Sequence, residues 1–402
     1  MITRLEQDLF YLLRCAVASD RPDPARFQSY SRQDLEALYE LSTKHSVQSI
    51  PAYYLGMESL LKDTALREKA RTVFLLGLRN VTCMEYDLQS ICGVLEAAGI
   101  DYLPLKGAIL RDLYPESWMR SSCDIDILVR EDDLQRAENT LMAELGCGGG
   151  TKNYHDVSLF LPSGVHLELH FSIKENISSM DRLLEKVWQY AHPVDTLHRY
   201  EMEPEFFLFH QAAHAAYHFL SGGCGVRTLL DWYLLKGKLP CDREKLERLL
   251  REGKLSIFAR QLDELTDCCF GGMPFTELSE HICRYILSGE TYGIMEQSAM
   301  IAKTKSGGSL PFLRGKLFPS REQMARQYPT LTRRPGLLPV FWLIRWGKLL
   351  DKGTRERYLY EMKTVCQLSE SDYENTKRLL TELGLEEKNE NEYELPQRDF
   401  SE

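Results

Sequence analysis

The spacing of apolar residues changes character twice along the chain. Over residues 1–98 it follows a three- and four-residue rhythm, clearest in "DLEALYELSTKHSVQSIPAYYL" and "CMEYDLQSICGVLEAAG", which predicts helices. Gly99 ends the second of these as a helix C-cap. The runs then shorten. "IDYLPL" (100–105) and "CDIDILV" (123–129) read as strands. "KGAILRDLY" (106–114), stopped by Pro115, and "EDDLQRAENTLMAELG" (131–146) read as helices, the latter with acids in its first turn, where the helix dipole favours them. "HDVSLFLP" and "VHLELHFSI" flank the turn Ser163–Gly164 and predict a hairpin. From residue 181 helical spacing returns in "PEFFLFHQAAHAAYHFL", "VRTLLDWYLLKGK", "CDREKLERLLREG" and 339–382, with a capping box at Ser320 and Gln323. The expected class is therefore α+β: a small mixed sheet at 99–180 between helical regions at 1–98 and 181–385. An acidic, polar tail at 386–402 is expected to be disordered. The Gly-, Ser- and Lys-rich stretch 303–317 reads as a loop, and "CGGG" (147–150) and "SGGCG" (221–225) read as connections. There is no internal repeat.

Two aspartates interrupt the apolar run of the second strand. Residues two apart on a strand share a face, roughly 7 Å apart, so Asp124 and Asp126 point together while Ile125 and Ile127 point into the core. The hairpin adds a third acid, Glu168, on the face of its strand that also carries His166 and His170. If that strand packs beside 123–129, three carboxylates converge. Such a trio repels itself unless cations lie between its members. Two Mg²⁺ ions about 4 Å apart (or Mn²⁺) meet that need and suit phosphoryl transfer. Upstream, Lys106, Gly107 and the amide of Ala108 stand at a strand–helix junction fit for phosphate, and Arg120 precedes Asp124 by four residues.

Charge and cysteine content narrow the class. A formal net charge of −10 argues against a chain that coats nucleic acid. Eleven cysteines without paired spacing suggest a reduced compartment. The opening "MITRLEQDLFYLLRC" is charged rather than leader-like, and no apolar run reaches the ~18 residues of a membrane span. A cytoplasmic protein without membrane partners is expected.

These residues resemble the DNA polymerase beta-like nucleotidyltransferase superfamily, which carries a Gly-containing strand–helix turn, two aspartates on a strand and a third acid on a neighbour. They resemble more closely its bacterial uncharacterised nucleotidyltransferase family. "LPLKGAILRDLYPESWMRSSCDIDILV" is similar in its KG, Tyr-Pro, Arg and DIDILV. "ELHFSI", "HAAYHF", "LLDWYLL" and "LFPSREQMARQYP" are similar to later blocks, so the likeness runs over roughly residues 35–350. It implies a nucleotidyltransferase palm in which Asp124 and Asp126 bind metal and Glu168 is the third carboxylate. The superfamily's usual Gly-Ser pair is replaced here by Lys106-Gly107. The implied activity is Mg²⁺-dependent transfer of NMP from an NTP, ATP foremost, to a small molecule, a protein side chain or a tRNA end. The alternative is an inactive nucleotide-binding or antitoxin-like protein.

Other histidines have competing readings. His166, Glu168 and His170 could form a Zn²⁺ or Fe²⁺ site. His210, His214 and His218 share a helix face; the plainer reading is core, the sharper one that His214 or His218, with His170, lines a substrate pocket. Asp231 is expected to hold Arg227 four residues earlier. Tyr53, Tyr54, Trp232, Phe341 and Trp342 read as core.

Overall fold

The computed structural model describes residues 2–57, 61, 63–194, 197–291, 295–328 and 330–386. The tail predicted to be disordered lies, but for Glu386, outside the described residues. The chain divides into two compact units. One comprises Met1–Ala215 with Gly225–Leu287, and the other Ala216–Cys224 with Ser288–Glu402.

The first unit is α+β. Helices α1 (Arg4–Ala18), α2 (Arg32–Lys44), α3 (Ser49–Gly56) and α4 (Thr64–Ala97) precede a five-stranded mixed sheet. Its strands are β1 (Tyr102–Pro104), β2 (Asp124–Val129), β3 (Gly148–Lys152), β4 (Asp156–Phe160) and β5 (His166–His170), in the order β1-β2-β5-β4-β3. β2 and β5 run parallel, and the other pairs are antiparallel. Parallel neighbours need a long crossover. Here it is α6 (Leu134–Leu145) followed by β3 and the β4–β5 hairpin, whose turn places Gly164 at φ +90°.

One sheet face is dry. Ile125, Ile127, Val157, Leu159, Leu167 and Leu169 pack against Met84, Ile91 and Leu95 of α4 and against Leu134, Ala137 and Leu141 of α6. The alternation of the strands places the acids on the opposite face. α5 (Gly107–Leu110), α7 (Ser178–Leu184), α8 (Pro204–Leu220), α9 (Val226–Lys238), α10 (Arg243–Glu252), α11 (Ser256–Cys269) and α12 (Glu277–Leu287) follow, with α8 reaching into the second unit.

Four expectations need correction. The helix over 106–114 is one α turn, α5, continued by a 3₁₀ turn at Arg111–Leu113. "CGGG" is not a mere connection: Gly148–Lys152 forms the edge strand β3. Gly149 and Gly150 adopt φ of +104° and +96° at a register shift, which an edge strand with a bulge tolerates. Beyond residue 181 the chain is not wholly helical, since β6 (Ala191–Pro193) pairs with β7 (Tyr200–Met202). The stretch 303–317 is no loop. Helices Met295–Ser306 and Ser309–Leu317 meet at Gly307 and Gly308, which supply the positive φ. There Phe312 is buried with Ala299 and Val365, and the buried Lys303 donates to the Leu368 carbonyl, so the polar composition hid a packed seam. The Ser320–Gln323 capping box is formed.

Candidate functional site

The site is built on the β2–β5 pairing. The register sets Asp126 opposite Glu168 and Asp124 opposite His166, so the three carboxylates share one face. Leu105 N donates to Asp126 O at 3.0 Å, which ties the residue before Lys106 to the acidic strand. Lys106 itself has φ +41° and ψ −110°, a conformation that favours glycine. This backbone brings its Nζ to Asp126 Oδ1 at 3.0 Å. His170 Nε2 lies 2.8 Å from the same oxygen and 3.2 Å from Glu168 Oε2. The acidic face thus carries two cations of its own.

The electrostatics follow from these contacts. Burial disfavours the charged form of every group here, and the partners decide the outcome. Burial lowers Lys106, but Asp126, Glu168, Glu175 and Asp124 outweigh it and hold the ammonium well above its ordinary value. Burial opposes His170 too, yet its bonds to Asp126 and Glu168 raise it to about 9, so it is an imidazolium at neutral pH. Asp126 is held well below the usual carboxylate range by Lys106 and His170, against its burial. Asp124 is pushed up to about 6, first by burial and then by Asp126 and Glu168.

Gly107 allows a close approach at the same corner: a Cβ there would lie 2.8 Å from Arg120 Nη1. Arg120 is buried and paired through two nitrogens with Asp231, Nε to Oδ1 at 2.8 Å and Nη2 to Oδ2 at 3.0 Å, while Tyr114 also donates to Asp231 Oδ1 at 2.8 Å. The acid expected to hold Arg227 is therefore occupied by Arg120 and Tyr114, and Arg227 Nη1 donates to Ser121 O. The third guanidinium nitrogen, Arg120 Nη1, is buried with no hydrogen-bond partner among the described residues.

Three participants lie outside the residues that the sequence pattern singled out. Glu175, just past β5, accepts from or donates to His214 Nδ1 at 2.7 Å. Burial raises its pKa to about 7, with Lys106, His155 and His170 pulling it back. His155 and Asp156 at the start of β4 form one of two groups able to hold a metal among the described residues, with His170; the other is Asp126, Glu168 and His170. Neither contains His166, which stacks on Phe160 instead. Of the histidine row on α8, His210 is buried, His214 meets Glu175, and His218 belongs to the second unit. Glu175 lacks a sequence signal, because a lone acid in "SIKENI" has no spacing to mark it. The adjacent His155-Asp156 at a strand start was a readable cue.

A family model described as uncharacterised nucleotidyltransferase matches residues 31–271. The chain belongs to that family. Nucleotidyl transfer is thereby its general reaction class, and a nucleotide its substrate. No curated protein and no solved structure matches the chain. No helix among the described residues is long and apolar enough to cross a membrane. The donor set fits a divalent cation of the kind this chemistry uses. Asp126, Glu168 and His170 each place a donor atom within 4.8 Å of the other two, while Asp124 shares their face through the strand register but belongs to neither metal-capable group.

Proposed function

We propose that the protein transfers NMP from an NTP, ATP foremost, to an acceptor hydroxyl, with Asp124, Asp126 and Glu168 as the Mg²⁺-holding carboxylates. The observation that carries this reading is the register that sets Asp126 against Glu168 with Asp124 on the same face. Ions held there supply charge neutralisation and in-line alignment of nucleophile and leaving group. The acceptor oxygen bonds to the α-phosphorus, the bond to pyrophosphate oxygen breaks, and the hydroxyl proton passes to a carboxylate, for which Glu168 is the candidate. Lys106 holds the outer phosphates, so its ammonium exchanges part of its bond to Asp126 for phosphate oxygen. Arg120 contributes Nη1 beside Gly107, with its other edge fixed by Asp231. His214 and Glu175 line the acceptor side with His170. The net charge of −10 favours a small molecule or protein side chain as acceptor over long nucleic acid, a tRNA end being the exception.

One observation favours the rival, a nucleotide-binding or antitoxin-like protein without turnover: Lys106 and His170 already neutralise Asp126. Incubation with NTPs labelled at the α-phosphorus and a cell extract separates the two. A labelled acceptor that disappears with Asp124→Asn supports transfer. Mg²⁺-dependent NTP binding by calorimetry with no labelled product supports the rival.

A further inference from the structure

His155 stands just before β4 and Asp156 opens it, and neither residue has a part in the reaction above. Asp156 pairs in register with His170, and the His155 ring stacks on that of His170 with centroids 5.3 Å apart and planes 15° from parallel. One donor atom from each of the three lies within 4.8 Å of the other two. Asp156 is buried and oriented: Asn153 Nδ2 donates to its Oδ1 at 2.8 Å, and its Oδ2 lies 3.4 Å from His155 Nε2. The His170 side chain is only 3% exposed, with Nε2 committed to Asp126 and Glu168. Its Nδ1 is buried without a hydrogen-bond partner among the described residues, as is Nδ1 of His155. Buried ring nitrogens are seldom left that way. A histidine pinned by a carboxylate through one nitrogen and open at the other has the posture of a metal ligand, because such pinning fixes the ring toward the ion; an ion bound at His170 Nδ1 displaces the proton there to solvent and leaves Nε2–H on Asp126 and Glu168.

We propose that His155, Asp156 and His170 form a second cation site, one that takes a borderline transition-metal ion such as Zn²⁺. Two imidazoles and one carboxylate select that class, whereas Mg²⁺ prefers oxygen ligands throughout. Ligands at about 2.0–2.2 Å from Zn²⁺ draw the three donors closer together. His155, 35% exposed and just ahead of β4, provides the way in. His170 belongs to both sites, so occupation of one fixes the ring that touches Asp126 and Glu168 in the other. The proposal does not depend on nucleotidyl transfer.

The test uses the full chain, stripped of metal and held in excess Mg²⁺, titrated with Co²⁺ as a visible-absorbing probe and then with Zn²⁺. The expected result is one Co²⁺ per chain with ligand-field bands that Zn²⁺ abolishes. His155→Ala weakens Co²⁺ binding at least tenfold. His155→Cys, compared with wild type, restores binding and adds a thiolate-to-Co²⁺ charge-transfer band, which only a direct ligand gives. Asp124→Asn, which disables the carboxylate face, keeps the wild-type Co²⁺ spectrum. Absence of saturable Co²⁺ binding, wild-type affinity in His155→Ala, no new band in His155→Cys, or loss of the spectrum in Asp124→Asn each overturns the proposal.

Discussion

The two faces of the palm sheet are made by the same strands and could hardly differ more. On one, Ile125, Ile127, Leu167 and Leu169 are buried among the apolar residues of α4 and α6. On the other, reached by moving a single residue along, Asp124, Asp126, Glu168 and His170 stand beside Lys106. A slip of one position in the pairing would send every charge into the core and every isoleucine out of it. The dry face therefore sets the register of the charged face. The carboxylates stay aligned because apolar packing behind them permits no other pairing, although their mutual repulsion opposes it.

The comparison can be broken most sharply at the two aspartates themselves. Under the proposed function, Asp124→Asn lowers nucleotidyl transfer to background, beyond the roughly 10–100-fold typical of a partner one layer away from a metal. Yet the folded protein should lose nothing, because Asp124 is the acid that burial, and then Asp126 and Glu168, push up to about 6. In EDTA its melting temperature should equal or exceed that of wild type. Asp126→Asn should lose activity and melting temperature together, since it leaves Lys106 and His170 without the negative charge they share. Equal melting behaviour of the two variants would show that Asp126 does not anchor those cations.

On the dry face, Leu169→Ala should cost about 2–5 kcal/mol of unfolding free energy through the cavity it leaves. Chemical denaturation measures this. NTP affinity of the fraction that remains folded should be unchanged, and a selective loss of affinity would mean that the two faces are not separable.

Two buried histidines extend the contrast to pH. His170, between carboxylates, is raised to about 9, while His45, buried where Val226 N meets its Nδ1, is lowered to about 4, chiefly by burial. The folded-state pKa of His45 lies below the ordinary value of about 6.5. Its contribution is therefore present above pH ~6.5 and is lost as the pH falls toward 4. That limb should amount to about 3 kcal/mol. The measurement is the difference between wild type and His45→Gln in unfolding free energy at several pH values. Parallel profiles would remove His45 from the account.

The smallest effect expected is at Lys106. Charged contacts are worth about 1.5–3 kcal/mol, so Lys106→Ala should weaken ATP binding in Mg²⁺ about tenfold to a hundredfold and leave AMP binding nearly untouched. Equal losses for both nucleotides would make Lys106 a support of the fold. Loss of neither would leave the phosphates to Arg120.

Much of this was legible because strands advertise themselves by alternation. "CDIDILV" and "VHLELHF" declare both a dry and a charged side, so the acids and their shared face follow from the sequence. What stayed hidden depends on partners far away in the chain. Nothing near Arg120 says that Asp231 will take two of its nitrogens, and the i,i+4 spacing favoured Arg227. Glu175 gains its role from burial against His214, a property of the fold alone. Glycines misled in the opposite direction, since "CGGG" looked like slack and is an edge strand whose bulge uses their freedom. The second unit shows the same limit, for Gly307 and Gly308 mark a two-residue corner between helices rather than a long loop.

The parallel pairing of β2 with β5 also has a consequence for how the protein comes into being. Asp126 and its partner Glu168 are separated by α6, β3 and the whole of β4, so their meeting requires closure of a long loop that local helix formation cannot hasten. During synthesis the two aspartates leave the ribosome well before Glu168 and His170. A nascent chain that ends within α6 carries Lys106 and the acidic pair but neither the third carboxylate nor His170. The charged face is therefore complete only once β5 lies between β2 and β4.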